Sequence, residues 1–288
     1  MDLTMSCSSL FLLFIFTLHI HFLVPTSGKF LPFQQCAPFV CGDKKISYPF
    51  KHNERPSYCG YPGYKLDCDG GNLTLLSMDS LKYQVIHMDW SEQILKVARM
   101  DLLKDICLGT HVNTTLNFSL FNYTSNYLDS ALFYNCNSPS TPQSNRFSCP
   151  ASGDGYFAFK VDPASKLHEL CNFSVFVPFI PIGAPSQPPT WKGSKSATIS
   201  RATVRDILKN GFEITWIANT SLCENCTKSG GRCGYGWTRL EFNCFCPNGA
   251  STTICHKSPI PASVPSPAPT IVPSSMYAYS LTQYVVFK

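Results

Sequence analysis

The sequence predicts a mainly β, disulfide-rich fold of two closely packed cysteine-rich modules with one short helix. Three observations carry that expectation. An even set of fourteen cysteines follows an apolar leader, as in a disulfide framework of an exported chain. Short β-branched and aromatic runs are separated by Gly, Pro, Asn or Asp, the pattern of strands and turns. A single stretch, beginning at Ser200, combines a cap residue with helical spacing. Sulfur crosslinks rather than a large apolar interior are therefore expected to hold the shape.

The leader comes first. Leu10 to Val24 is apolar except for Thr17, His19 and His21, which is shorter than the roughly twenty residues a membrane helix needs. Pro25, Thr26, Ser27 and Gly28 supply the small residues of a cleavage site, so residues 1–28 read as a signal peptide that carries Cys7 away. Its amino-terminal end departs from the usual pattern in lacking Lys and Arg. Asn-x-Ser/Thr sequons at Asn72, Asn113, Asn117, Asn122, Asn172 and Asn219 agree with export. A seventh at Asn225 is the weakest, wedged between Cys223 and Cys226. Location in the secreted, extracellular space follows.

Strands are expected at Ile46–Phe50, Tyr64–Cys68, Leu73–Ser77, Tyr83–Met88 and Ile94–Met100, with residues 88–93 turning the last hairpin. Sugars fix the faces of two more. Outward Asn117 would send Leu116, Phe118 and Leu120 inward, with the strand ending or bulging before Asn122; outward Asn172 would bury Phe173, Val175 and Val177. Pro178 to Lys195 holds five prolines and reads as a linker or long loop. Ser200 caps a helix with Val204, Ile207 and Leu208 on one face and Gly211 closing it; residues 211–216 return as a strand. Residues 256–288 are a Pro/Ser-rich tail expected to be disordered.

The mature cysteines are Cys36, Cys41, Cys59, Cys68, Cys107, Cys136, Cys149, Cys171, Cys223, Cys226, Cys233, Cys244, Cys246 and Cys255. The last six lie within 33 residues and have the look of an epidermal-growth-factor-like module. Zinc or redox cycling is disfavoured, because no second well-spaced Cys-x-x-Cys follows and the compartment is oxidising. Three structural bridges are expected there, in any of fifteen connectivities.

Charge and motifs narrow the function. Charged residues are only 14% and the net charge is +5, too weak and dispersed for nucleic acid but suited to an acidic partner. Gly-x-Ser-x-Gly, His-Glu-x-x-His and P-loop patterns do not occur, so no catalytic residue, metal or cofactor is expected. Between Tyr48 and Tyr64, aromatics interleave with Lys51 and Arg55, the residue types that cover sugar faces and pair with carboxylates. The competing reading puts Tyr48, Phe50 and Tyr64 in the core.

That stretch carries a family resemblance. Cys36-x4-Cys41-Gly42, Ile46-Ser-Tyr-Pro-Phe50, Arg55-Pro-Ser-Tyr-Cys59-Gly60-Tyr-Pro-Gly63 and Leu66-Asp-Cys68 resemble the galacturonan-binding domain of plant wall-associated receptor kinases, with Arg99-Met-Asp101 near its end. Residues 211–216, Cys223-x-x-Cys226, Ser229-Gly-Gly-x-Cys233-Gly-Tyr235 and Cys244-Phe-Cys246 resemble the C-terminal cysteine-rich domain of those ectodomains, and the leaf-rust-resistance type most of all. The resemblance implies modules at 36–101 and 102–255, although the proline-rich segment would divide the cysteines elsewhere. It implies a non-catalytic, pectin-binding ectodomain, with a soluble decoy or co-receptor for receptor kinases or apoplastic peptides as the alternative. The family's membrane helix and kinase motifs do not occur in this sequence, which reads as either an ectodomain-only protein or a truncated gene product. Lys44, Lys45, Lys51 and Arg55 are expected to meet carboxylates of the wall polysaccharide, and Tyr58 and Tyr61 to stack on its sugars.

Overall fold

The computed structural model describes residues 29–137, 145–160, 166–180 and 199–256. The leader, most of the proline-rich segment and nearly all of the tail lie outside them. Residues up to Cys255 form one body.

A helical turn, α1 (Leu31–Gln35), leads into a hairpin of β1 (Phe39–Cys41) and β2 (Lys44–Ile46). The short β3 (Lys51–His52) then opens a sheet continued by β4 (Lys65–Asp69), β5 (Leu73–Met78), β6 (Leu81–Asp89) and β7 (Ile94–Arg99). Alternation sets the register: Leu66 faces Leu76, Leu76 faces Tyr83, and Val85 faces Val97, all buried on one side. The sheet's last two strands arrive from much later in the chain. β8 (Phe121–Tyr123) is the far edge, and β13 (Phe212–Trp216) lies between it and β7.

Gly211 permits that insertion. It has φ +66° and closes the preceding helix, and a Cβ there would collide with the carbonyl oxygen of Val97. Phe212 can therefore pair with Val97 from the start of the strand.

A second sheet has the order β10-β11-β9-β12, comprising β9 (Leu128–Cys136), β10 (Arg146–Cys149), β11 (Gly153–Ala158) and β12 (Cys171–Phe179). Cys136 and Cys171 are register partners on β9 and β12 and are disulfide-bonded. Leu132, Phe157 and Val175 form its core with Leu102 of α2 (Met100–Lys104) and with Val204 and Leu208 of α4 (Arg201–Lys209). The short α3 (Leu167–Leu170) precedes β12. The Ser200 hydroxyl caps α4 by accepting from the Thr203 amide at 3.0 Å, as its position predicts.

The last six cysteines fold around α5 (Ser221–Lys228) and a sheet of β14 (Arg232–Gly236), β15 (Glu241–Cys246) and β16 (Gly249–Ser251). Bridges Cys223–Cys233, Cys226–Cys244 and Cys246–Cys255 select one of the fifteen connectivities. A Cβ on Gly231 would meet sulfurs of Cys244, Cys226 and Cys255 at 2.5–2.7 Å, so this glycine lets the disulfides pack against the backbone. Cys36–Cys59, Cys41–Cys68 and Cys107–Cys149 complete the set, and all fourteen cysteines are paired.

The mainly β, disulfide-rich class holds, and the described residues form four short α-helices and one 3-10 turn (Ser57–Cys59) besides the helix expected. Several local expectations need correction. The strand expected over 46–50 stops at Ile46, because the chain turns at 47–50 and Pro49 has no N–H for a ladder. Residues 116–120 are not a strand: the Asn117 carboxamide accepts from the Ser119 amide at 3.0 Å, a turn that competes with pairing. Phe118 is accordingly 63% exposed, whereas Leu116 is buried. On β12, Val175 and Val177 are buried as expected, but Phe173 lies outside the core and stacks on His111 with ring centroids 4.4 Å apart. The apolar interior is also larger than the cysteine count suggests. Phe50, Tyr64, Phe121 and Trp216 form one aromatic cluster with centroids 5.2–5.3 Å apart.

Candidate functional site

The first hairpin and the loops after it hold the expected sugar-binding residues, and the structure separates them into three situations. Lys44 and Lys45 are neighbours on β2, so they point to opposite faces. Lys44 Nζ pairs with Asp43 at 2.6 Å, and that bond holds the Asp43 carboxyl below the usual range. Lys45 lies opposite Val40, itself 71% exposed. Among the described residues Lys45 makes no hydrogen bond or ion pair, so its ammonium faces solvent.

Lys51 and Arg55 are placed differently. Lys51 is buried, and its Nζ donates to the backbone carbonyls of Arg55 at 2.9 Å, His52 at 3.2 Å and Asn53 at 3.4 Å. Burial first, and then the Lys65 charge, pull its pKa down. Arg55 donates to the carbonyls of Ala37 and Gln35, with its guanidinium 4.7 Å above the Phe39 ring. Burial and Arg232 lower its pKa likewise. These two cations brace the loop against the segment following α1 instead of forming an open basic face.

The aromatics also divide. Tyr48, Phe50 and Tyr64 are core, the alternative their spacing left open. Tyr64 also ties distant segments, donating to the Leu120 carbonyl at 2.6 Å and accepting from the amides of Ile217 and Ala218. Tyr58 packs edge-on against Phe245 of β15 and donates to the Gln35 side chain. Tyr61 is different, because it lines an open groove of about 350 Å³ with Tyr235 and Phe242. The groove's later-chain half was not legible beforehand; the only sequence signal was the Gly234-Tyr235-Gly236-Trp237 run.

Arg99 and Asp101, named for their place in the motif, form a 2.6 Å ion pair in which the guanidinium is buried and also donates to the Val112 carbonyl. Their part is to fix the end of β7. All seven sequon asparagines are exposed. Sulfurs of Cys244, Cys246 and Cys255 lie within 4.8 Å of one another, but each is already in a bridge and offers no thiolate to a metal. No helix among the described residues is long and apolar enough to cross a membrane.

The model for the wall-associated receptor kinase galacturonan-binding family matches residues 36–99, and that for the wall-associated receptor kinase C-terminal family matches residues 136–249. Among curated proteins, the Arabidopsis thaliana leaf rust 10 disease-resistance locus receptor-like protein kinase-like 1.4 is 31% identical over 199 residues, 68% of this chain and 28% of that protein. Its relative 1.3, from the same plant, is 30% identical over 230 residues, 79% of this chain and 31% of that protein. The chain thus spans less than a third of either relative. No solved structure matches it.

Proposed function

Because this chain belongs to the family of the plant wall-associated and leaf-rust-resistance-type receptor-like kinases, matching their galacturonan-binding and C-terminal domains, we propose that it is a secreted, non-catalytic binder of de-esterified pectin in the cell wall. The observation that carries the reading is the galacturonan-binding match over 36–99. Modules at 36–101 and 102–255 are part of the same reading.

The chemistry assigns different roles within the motif. Lys45 meets uronate carboxylates, and Lys44 joins it when Asp43 is displaced. Tyr61, turned into the groove it shares with Tyr235 and Phe242, stands apart from this basic hairpin. Lys51, Arg55 and Tyr58 position the loop that carries them. Exposed charges give modest energies, about 0.2–1 kcal/mol per pair, so affinity comes from repeated contacts along the polymer. The attraction is screened over about 10 Å at 0.1 M salt.

Retention of the protein on immobilised polygalacturonate, compared with methyl-esterified pectin over a salt gradient, tests this. Earlier elution with rising salt and weaker hold on the ester are expected. Equal retention on both at every ionic strength would reject the mechanism. Recovery of receptor kinases instead of pectin fragments from wall extracts would favour the decoy or co-receptor reading.

A further inference from the structure

The groove that Tyr61 lines has a chemistry unlike that of a uronate site. Tyr61 and Tyr235 touch edge to face in its wall, with ring centroids 5.2 Å apart, and Tyr48, Tyr64 and most of Tyr235 are buried behind the opening. Burial, reinforced by neighbouring phenols, raises the pKa of Tyr48, Tyr64 and Tyr235, so these hydroxyls stay neutral. The single charge among its lining residues is Glu241, 3.7 Å from Arg239. No cation is among the residues that line it.

The rim is aliphatic and wet. Ile217, Leu222 and Leu240 are 47%, 40% and 67% exposed, and all three line the same opening. Exposed apolar side chains gathered at one place call for a cover. The cover must be uncharged, and amphipathic enough to lie on rings and leucines while facing water.

The rim also carries the attachment point of such a group. Asn219 lines the groove, is exposed, and opens the sequon Asn219-Thr220-Ser221. Its Oδ1 accepts from the Ser221 amide at 2.9 Å, which fixes the carboxamide. Its Nδ2, the atom that N-glycosylation modifies, has no partner among the described residues. Ser119, across the groove, belongs to the sequon of Asn117.

We propose that the groove is the seat of the N-linked glycan on Asn219, whose first N-acetylglucosamine units lie over Tyr61, Tyr235 and the rim leucines. The attachment follows ordinary transfer chemistry. Nδ2 loses a proton and forms a bond to the anomeric carbon of a lipid-pyrophosphate-linked oligosaccharide, and lipid pyrophosphate leaves with the bonding electrons. The apolar face of each pyranose and the acetyl methyl then meet aromatic and aliphatic carbon. Tethering supplies an effective concentration on the order of millimolar, so contacts too weak for a free sugar suffice. The seated glycan spans residues from both family-matched segments, Tyr61 from the first and Tyr235 from the second, and clasps them together. The inference rests on the export assumed in the proposed function.

The test uses protein secreted from a plant or insect host, with site occupancy read by glycopeptide mass spectrometry and exposure by hydroxyl-radical footprinting. Ser221→Ala removes the sequon but keeps Asn219 and the backbone amide that holds it. It is expected to raise labelling of Leu222, Leu240 and Tyr61 by about twofold or more, while Asn172→Gln, which removes a sequon on β12, leaves them unchanged. Enzymatic trimming of the folded wild-type glycan should do the same if the variant is poorly secreted. Unchanged labelling after either treatment, or an empty Asn219 in a chain glycosylated elsewhere, would overturn this inference alone. Absence of sugar from every sequon would remove it together with the export reading.

Discussion

Lys51 shows what a residue's chemistry leaves undecided. Lysine beside tyrosines predicts a sugar contact, but three carbonyls of the following loop converge on its ammonium and bury it. Nothing in the local sequence distinguishes a cation turned inward from one turned outward, because the loop's path decides. Lys51→Met strands those carbonyls and is expected to cost about 1–3 kcal/mol in urea unfolding; unchanged stability would remove the bracing role. His111 gives a second prediction at this scale. Its ring stacks on Phe173 and lies 4.7 Å from Tyr134, and burial lowers its pKa. The unfolded chain therefore takes up the proton at higher pH than the folded one. Stability should be lost as pH falls below the ordinary histidine value of about 6.5, and His111→Phe should flatten that dependence in thermal melts between neutral and mildly acidic pH.

At the scale of elements, what the sequence discloses depends on whether local or distant forces win. The meander from β4 to β7 was legible, because period-two alternation and turn residues agree there. The α4 helix was legible through its cap, and Ser200→Ala should lower stability by about 1 kcal/mol, measured by denaturant titration. The strand expected over 116–120 failed to form because one Asn carboxamide outcompeted the ladder. Five-residue helices such as α2 carry too few turns to show a period. Parity read from sugars held for Val175 and Val177, deep in a ladder, and failed for Phe173 near its end, where His111 supplies another partner.

Across the whole molecule, no bridge joins residues before Arg99 to residues after it, yet the two parts share a core. β13 lies between β7 and β8, and Phe50 and Tyr64 from the first segment touch Trp216 and Phe121 from the second. Cysteine spacing could not disclose this, since the joining is done by apolar contacts at long sequence separation. Phe50→Ala and Trp216→Ala should each cost about 3–5 kcal/mol. Because the rings are in contact at 5.3 Å, the double variant should lose less than the two single costs added together; strict additivity would mean independent cores. That shared body carries the hairpin with exposed Lys45, which the proposed pectin reading requires to be held in place. The most direct measurement is a calorimetric titration of the protein and of Lys45→Glu with an oligogalacturonide at low and moderate salt. Salt-weakened binding by the wild type and a several-fold loss in the variant are predicted, whereas identical titrations of the two proteins would contradict the account.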